Sequence, residues 1–389
     1  MNLLFVVPTF RKWGGAQEVI VTLVQHFQRR GHRIFVASED TRETLQGRFS
    51  PETVHYPLPL KRRAPWTVAI NFLKLLRVAQ RERIDLISSH EKKTSALCLP
   101  IGCVLGIPVV HTAHTQMTNW RARLFGHLGH NLVANSVSTG EHLVRVFGAR
   151  REDITVIEDA PQWMPVPTAA DIERVREEFG VVAGQPVLVC LGRLTEEKGH
   201  EVLLEALVQV RRHFPDVRLL IVGKGHVRGR LEERARALGL VNATTFTGYR
   251  DDANAILCAA TVAVCPSVID MLPFVIPQCL CFRIPVIATS VGEIPGVIRA
   301  SETGFLVQPN DPAALAQAIC TAFRDPDGAR ALAERGRTEV LSRFEPGLMC
   351  EQYEAYFASV LHCEPPRELR TAREYWGTGK SQCGDKTER

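Results

Sequence analysis

The sequence predicts an α/β protein built from two Rossmann-like, doubly wound domains. Three observations carry this. Short apolar strands alternate with amphipathic helices through both halves, glycine-bearing loops follow the first strand of each half, and prolines cluster between the halves. At 389 residues the chain is too long for one ordinary core and suits two of roughly 150 to 200 residues. The expected division is 1–165 for the first domain and 166–347 for the second. A helix over 348–361 is expected to join the first domain, and a polar, mobile tail to occupy 363–389.

In order, Leu3 to Val7 reads as the first strand, Pro8 to Gly15 as a loop, and Ala16 to Arg30 as a helix ended by Gly31. Ile34 to Ala37, Leu86 to Ser88, Val109 to Thr112 and Leu132 to Ala134 follow as short buried strands, with Thr139 to Phe147 as a helix. Ala160 to Asp171, holding three prolines, reads as the interdomain linker. The rhythm then repeats, with strands at Val187 to Leu191, Arg218 to Val222, Thr244 to Phe246, Val262 to Cys265 and Val286 to Ala288. Helices are expected at His200 to His213, Arg228 to Leu238, Ala253 to Cys258, Phe274 to Phe282, Pro312 to Phe323 and Ala329 to Phe344. Two such sheets are expected to face each other across a cleft.

Net charge is +5, unevenly placed: residues 1–160 hold 21 Lys plus Arg against 13 Asp plus Glu, or +8, leaving 26 against 29, or −3, for the rest. Lys61, Arg62 and Arg63 beside Trp66, then Arg77, Arg81 and Arg83, and Trp120 with Arg121 and Arg123, suit an anionic membrane surface. For any single cluster a solvated helix face is the better account. The apolar run Ala96 to Val110 holds two prolines and two glycines and is too short for a membrane helix, so it reads as a helix end plus a strand. The N-terminus lacks a basic n-region and reads as a strand rather than a signal peptide, which predicts a cytoplasmic protein, peripheral at most. Eleven scattered cysteines, none in a CxxC pair, are expected to be reduced core residues. Nucleic-acid binding is excluded for want of a reader motif, and a nicotinamide dehydrogenase for want of GxGxxG after the first strand.

The chemistry-bearing stretch is LGRLTEEKGH, Leu191 to His200. A buried parallel strand turns through it into a helix, placing Arg193 and Lys198 at the strand's carboxyl end, where open α/β sheets bind ligands. A helix N-terminus, two cations, and Gly192 and Gly199 suit a diphosphate. PSVIDMLPFVIPQ, Pro266 to Gln278, follows some seventy residues later.

The ordered set of segments resembles one family. The Gly14–Gly15 loop, VVHTAHT ending its histidines at His114, LVANSVSTGEHL, LGRLTEEKG, LLIVGKG, TFTGYRDD, PSVIDMLP, IPVIATSVGEIPGVI and TGFLVQPNDPAALAQAI together look like GT-B fold, family 4 retaining glycosyltransferases (glycosyl transferases group 1). The resemblance implies transfer of a hexose from a nucleotide-diphosphate sugar to a hydroxyl of a glycan or lipid-linked glycan. The cell-envelope polysaccharide or lipopolysaccharide type is implied, with no cofactor and no metal.

The same resemblance assigns the residues. Arg193 and Lys198 stand where the family keeps its diphosphate cations, and Gly15 where the first loop meets the phosphates. His114 stands near the donor sugar and acceptor. His90 and Glu91 are candidates for the acceptor side. Asp270 and Gln278 replace the family's paired glutamates: Asp270 keeps a carboxylate for the sugar hydroxyls while reaching about 1.5 Å less, and Gln278 keeps only a neutral acceptor for the ribose. The N–H groups of Met271 and Leu272 are expected at the donor, Tyr249 and Arg250 at the nucleobase, and Gly223 and Gly225 where a base or ribose approaches. Glu293 is expected to touch the donor or cap the next helix. His111, three residues before His114, suggests a metal pair only until strand alternation sends the two to opposite faces. Asp159 stands in IEDAPQW, where the family's polar turn is altered. No obvious covalent nucleophile appears, so front-face attack with retention is expected, the leaving phosphate taking the acceptor's proton. The alternatives are a nucleotide-sugar-binding pseudoenzyme on the same fold and a GT-B sugar-nucleotide epimerase.

Overall fold

The computed structural model describes residues 1–11, 14–41, 43–45, 47–62, 64–114, 129–160 and 166–362. The Trp120 cluster, Arg63, the linker's centre at 161–165 and the tail at 363–389 lie outside these residues. The chain divides into two compact units, Met1–Gln162 with the segment from Pro346 onward, and Trp163–Glu345.

The first unit runs β1 (Asn2–Val6), α1 (Gly15–Arg29), β2 (Arg33–Ser38), β3 (Val54–Pro57), α2 (Pro65–Arg81), β4 (Leu86–Ser89), α3 (Lys92–Leu105), β5 (Val109–Ala113), β6 (Asn131–Ala134), α4 (Val137–Phe147) and β7 (Ile154–Val156). Its seven strands are ordered β3-β2-β1-β4-β5-β6-β7 and pair in parallel throughout. Apolar runs without alternation make these strands, because helices cover both faces of such a sheet. The last helix, Pro346–His362, returns to this unit and stacks Phe357 on Phe27 of α1, ring centroids 5.3 Å apart.

The second unit runs α5 (Ala169–Glu178), β8 (Val187–Leu191), α6 (His200–Val210), β9 (Arg218–Val222), α7 (Arg228–Ala237), β10 (Thr244–Gly248), α8 (Ala253–Cys258), β11 (Val262–Cys265), α9 (Val275–Cys281), β12 (Val286–Thr289), β13 (Phe305–Val307), α10 (Pro312–Arg324) and α11 (Pro326–Arg343); the returning helix is α12. Its six parallel strands are ordered β10-β9-β8-β11-β12-β13. Leu188, Leu203, Leu207, Leu219, Ile221 and Ile319 sit at the centre of its core.

In both sheets the strand order reverses beside the first strand, between β1 and β4 and between β8 and β11. Those reversals are where doubly wound sheets open a crevice at their carboxyl edge.

Several elements differ from expectation. The linker ends early, since Thr168 caps α5 by accepting from Asp171 N and makes Ala169 onward helical. β3, α2, β7, α5 and β13 are additional. α2 escapes a periodicity reading because its inward stripe includes Thr67 and Asn71, while Trp66, Ile70 and Leu73 point outward. The nine described cysteines are all free thiols. Among the described residues no helix is long and apolar enough to cross a membrane.

Candidate active site

In the second unit the site grows from the two loops that flank the sheet reversal. After β8 the chain makes a 3-10 turn, Glu196–Lys198, and enters α6 through Gly199, whose φ of 67° is left-handed. A Cβ at Gly199 would lie 1.9 Å from the Pro266 carbonyl oxygen, so only glycine lets this loop touch the one after β11. Val268 and Ile269 N–H groups then donate to the Glu197 carbonyl at 2.7 and 3.1 Å and lock the loops together.

That lock brings Lys198 onto Asp270. The ammonium donates to Asp270 Oδ2 at 2.5 Å, and the two side chains are only 16% and 17% exposed. Ser267 Oγ donates to the same carboxylate oxygen at 2.9 Å, and Met271 N–H donates to Oδ1 at 3.0 Å. Thr289 Oγ1 holds the Ser267 carbonyl from β12. Asp270 is therefore oriented on both oxygens, and the Met271 N–H expected to meet the donor is used within the loop. Leu272 follows in the same loop, half-buried. Arg193 is the free-reaching cation of the pair: its side chain is 67% exposed and makes a 3.7 Å contact with Glu197. Gly192 has open space where a Cβ would stand.

Gly223 and Gly225 are held to glycine by the neighbouring loop, because a Cβ would lie 1.8 Å from the Gly192 carbonyl oxygen and 1.9 Å from that of Leu194, respectively. Their missing side chains let β9's turn support the Arg193 loop, which Leu194 N–H anchors by donating to the Lys224 carbonyl at 3.0 Å.

Arg250 is likewise tied locally. It forms a paired contact with Glu178 of α5 at 2.6 and 2.7 Å and another with Asp252 at 2.8 and 2.9 Å. These hydrogen bonds raise the guanidinium's pKa and lower that of Asp252. Tyr249 is exposed, with Lys224 Nζ 5.4 Å from its ring centroid. Gln278 Nε2 donates to Asn254 Oδ1 of α8, which leaves its amide oxygen as the acceptor. Glu293 makes no side-chain cap to the 3-10 turn that follows it; its N–H donates to the Met271 carbonyl at 2.9 Å instead.

In the first unit, Gly15 opens α1 beside β1's end, and the other residues gather after β4, β5 and β7. His114 Nδ1 lies 2.8 Å from Asp159 Oδ2, His114 Nε2 lies 3.0 Å from His90 Nδ1, and His90 Nε2 lies 3.0 Å from Ser88 Oγ. Asn135 donates to Asp159 Oδ2 at 2.9 Å and to the His114 carbonyl at 3.1 Å, and Thr139 Oγ1 fixes its amide from the other side.

Burial, with His114 and His111 nearby, holds His90 well below the ordinary imidazole pKa, so His90 is neutral and switches tautomer rather than charge. With His114 Nδ1–H donating to Asp159, His114 Nε2 accepts from His90 Nδ1–H, and His90 Nε2 in turn accepts from Ser88 Oγ–H. His111 points elsewhere, 2.6 Å from Ser95 Oγ, and burial pushes it down to about 3. Among the described residues no three His, Cys, Asp or Glu side chains are grouped to hold a metal. Glu91 is the N-cap residue of α3, bonded through its backbone to Thr94, and burial raises its carboxyl pKa against the nearby charges of Lys93, Lys61 and His114.

Residues 13–159 match the family described as Glycosyltransferase Family 4, and residues 185–325 match Glycosyl transferases group 1. The chain belongs to glycosyltransferase family 4. It is similar to glycogen synthase of Mycobacterium tuberculosis, 26% identical over 72% of each chain, and to the lipopolysaccharide core biosynthesis glycosyltransferase LpsE of Rhizobium meliloti, 27% identical over 90% of this chain and 97% of that one. Its fold is that of HepE from Anabaena, solved in complex with UDP-glucose, with a TM-score of 0.79 and 22% identity over 92% of this chain and all of that one. Both parallel sheets are those of a GT-B glycosyltransferase.

Within this glycosyltransferase, the structure brings Lys198 and Asp270 together after the loop that carries Arg193, and separately His114, His90 and Asp159. It ties Arg250 to α5. Ser267, Thr289, Asn254, Asn135 and Thr139 were not singled out in the sequence. Ser267, Asn135, Thr139 and Thr289 lie within recognised segments, and Ser267, three residues before Asp270, stands where a turn could have been suspected; Asn254 lies outside them.

Proposed function

We propose that this glycosyltransferase moves a hexose from a nucleotide-diphosphate sugar to a hydroxyl of a glycan or lipid-linked glycan, with retention at the anomeric carbon and without a metal. The observation that carries the reading is the Lys198–Asp270 contact at the sheet reversal. One site offers a fixed cation for a diphosphate and, beside it, an oriented carboxylate for sugar hydroxyls, the two halves of such a donor. Arg193 supplies a second, exposed cation. Together they stabilise charge on the departing diphosphate, a task for which one preorganised donor typically contributes about a hundredfold in rate or more. The leaving phosphate takes the acceptor's proton. His114, oriented by Asp159, is the first unit's candidate partner for a reacting hydroxyl, its Nε2 exchanging His90 for substrate.

HepE binds UDP-glucose and LpsE is named for lipopolysaccharide core biosynthesis. Both support a nucleotide-sugar donor and a cell-envelope acceptor, and the basic first unit supports work at an anionic membrane surface.

Thermal shift against UDP, GDP and ADP sugars tests the donor, since a ligand that binds only the folded state raises stability as ln(1 + [L]/Kd). The expected result is one nucleobase class shifting the melt, an effect lost in Arg193→Ala. Transfer followed by NMR of the anomeric proton, with and without EDTA, tests retention and metal independence. Binding without transfer to any glycan or glycolipid would instead mean a pseudoenzyme.

A further inference from the structure

Helices α2 and α3 of the first unit carry an apolar surface that no element of the described structure covers. On α2, Trp66, Val68, Ile70 and Leu73 are 71%, 44%, 47% and 48% exposed, and on α3 Val104 is 67% exposed. The arrangement is periodic. Trp66, Ile70, Leu73 and Arg77 form one outward stripe of α2, at i, i+4, i+7 and i+11. Pro65, Val68, Ala69, Phe72 and Leu73 form a second stripe, and Lys93, Ala96, Leu97 and Pro100 form its counterpart on α3. Between them lies a groove of about 570 Å³.

The inward face of α2 mixes Thr67 and Asn71 with Leu75, Val78 and Ala79, while Trp66, Ile70 and Leu73 stand outside.

The charge on these two helices has one sign, flanked by Glu82 at the end of α2 and by Glu91 at the start of α3, near Lys93. No Asp or Glu occurs between Glu52 and Glu82, or between Glu91 and Glu141, so α2 and α3 are both free of acid. Lys74 and Arg77 have no carboxylate partner among the described residues, and both are exposed beside Leu73. Lys93 stands at the groove's end. A protein partner of ordinary composition would leave these cations without systematic complement. A sheet of anionic headgroups above an acyl layer matches both features at once. Trp66 suits the headgroup boundary, Ile70 and Leu73 the first acyl carbons, and the long stems of Lys74 and Arg77 lie along the apolar surface while their charges reach phosphate.

We infer that α2 and α3 form the face by which this enzyme lies on an anionic lipid bilayer, with the groove between them taking up acyl chain. The inference rests on the reading of the enzyme as one that works at a membrane. Its test uses neither donor nor acceptor, so its failure leaves the transferase assignment standing.

The full chain is floated with phosphatidylcholine vesicles, with and without phosphatidylglycerol, at low and high salt. Expected is binding to the anionic vesicles only, weakened by salt. Ile70→Glu/Leu73→Glu is expected to reduce binding more than tenfold. Lys74→Gln/Arg77→Gln is expected to reduce it about fivefold per charge. These side chains are nearly half-exposed or unpaired, so an unchanged circular dichroism melt and an unchanged melt shift by nucleotide sugar should accompany both variants. The inference is overturned if the native chain ignores anionic vesicles, or if both double variants bind as it does. It is equally overturned if the apolar variant only abolishes a dimer seen by sedimentation, which would make the face a contact between copies.

Discussion

Lys198 and Asp270, seventy-two positions apart in sequence, share a 2.5 Å hydrogen bond at the point where the second sheet reverses its strand order. The bond exists because Gly199 allows the β8 loop to touch Pro266, and it means that the cation expected to meet a diphosphate already faces a carboxylate.

The pair predicts opposite effects from its two members. Asp270→Asn removes the negative partner and leaves Lys198 wholly available to phosphate, so nucleoside diphosphate affinity should hold or rise while transfer falls about a hundredfold. Lys198→Ala should weaken nucleoside diphosphate binding and transfer alike. Titration calorimetry with the diphosphate and kcat/KM with the donor sugar separate the two; equal loss of diphosphate affinity in both variants would contradict the proposed division of labour.

The glycine pair of β9's turn predicts a sharp positional contrast. Gly225→Ala puts a methyl group 1.9 Å from the Leu194 carbonyl oxygen, so the Arg193 loop must shift. A loss of about 2–3 kcal/mol in unfolding free energy and a diminished melt shift by nucleotide sugar are expected. Gly229→Ala, four residues on in α7 with nothing within 4 Å, should instead be neutral or stabilising by up to about 1 kcal/mol. Urea denaturation of both variants decides it.

Arg250 illustrates a residue whose type suggested ligand and whose surroundings suggest scaffold. Glu178 and Asp252 occupy its guanidinium and bind α5 to the β10–α8 turn. Arg250→Ala is expected to lower the melting temperature while leaving nucleotide-sugar affinity within about threefold, whereas a direct nucleobase contact would cost tenfold or more, as loss of a charged hydrogen bond does. Calorimetry on the variant, compared with its melt, distinguishes them.

What the sequence made legible was what local chemistry determines. Unalternated apolar runs such as Val187 to Leu191 marked parallel strands, and the strand–glycine–helix passage at Leu191 to His200 marked the carboxyl-edge loop. Illegible were the features set by elements that meet only in the fold. Nothing near Gly223 announces the Gly192 carbonyl that a Cβ there would meet, and nothing near Gln278 announces Asn254 on α8. α2 is illegible for a different reason, since its apolar residues are divided between the core, at Leu75, Val78 and Ala79, and the surface, at Trp66, Ile70 and Leu73.

Two buried histidines should make the units acid-sensitive. Burial, aided by the charge of Lys198 and opposed by the Thr195 backbone, lowers His200 to about 4, and burial lowers His111 to about 3, with His114 and Lys92 contributing. Unfolded, both return to about 6.5. Between the folded and unfolded values the unfolded chain holds the extra proton, so stability is full above about pH 6.5 and declines as pH falls through that window. It levels off near pH 4 for His200 and near pH 3 for His111. From pH 6.5 to pH 5 each histidine should cost roughly 2 kcal/mol. His200→Leu removes the titrating group at the first position of α6, in an environment that is already apolar. Its urea-unfolding free energy should therefore depend less on pH than that of the native protein over pH 6.5–5. If the two pH profiles run parallel, His200 does not enter the folded core uncharged.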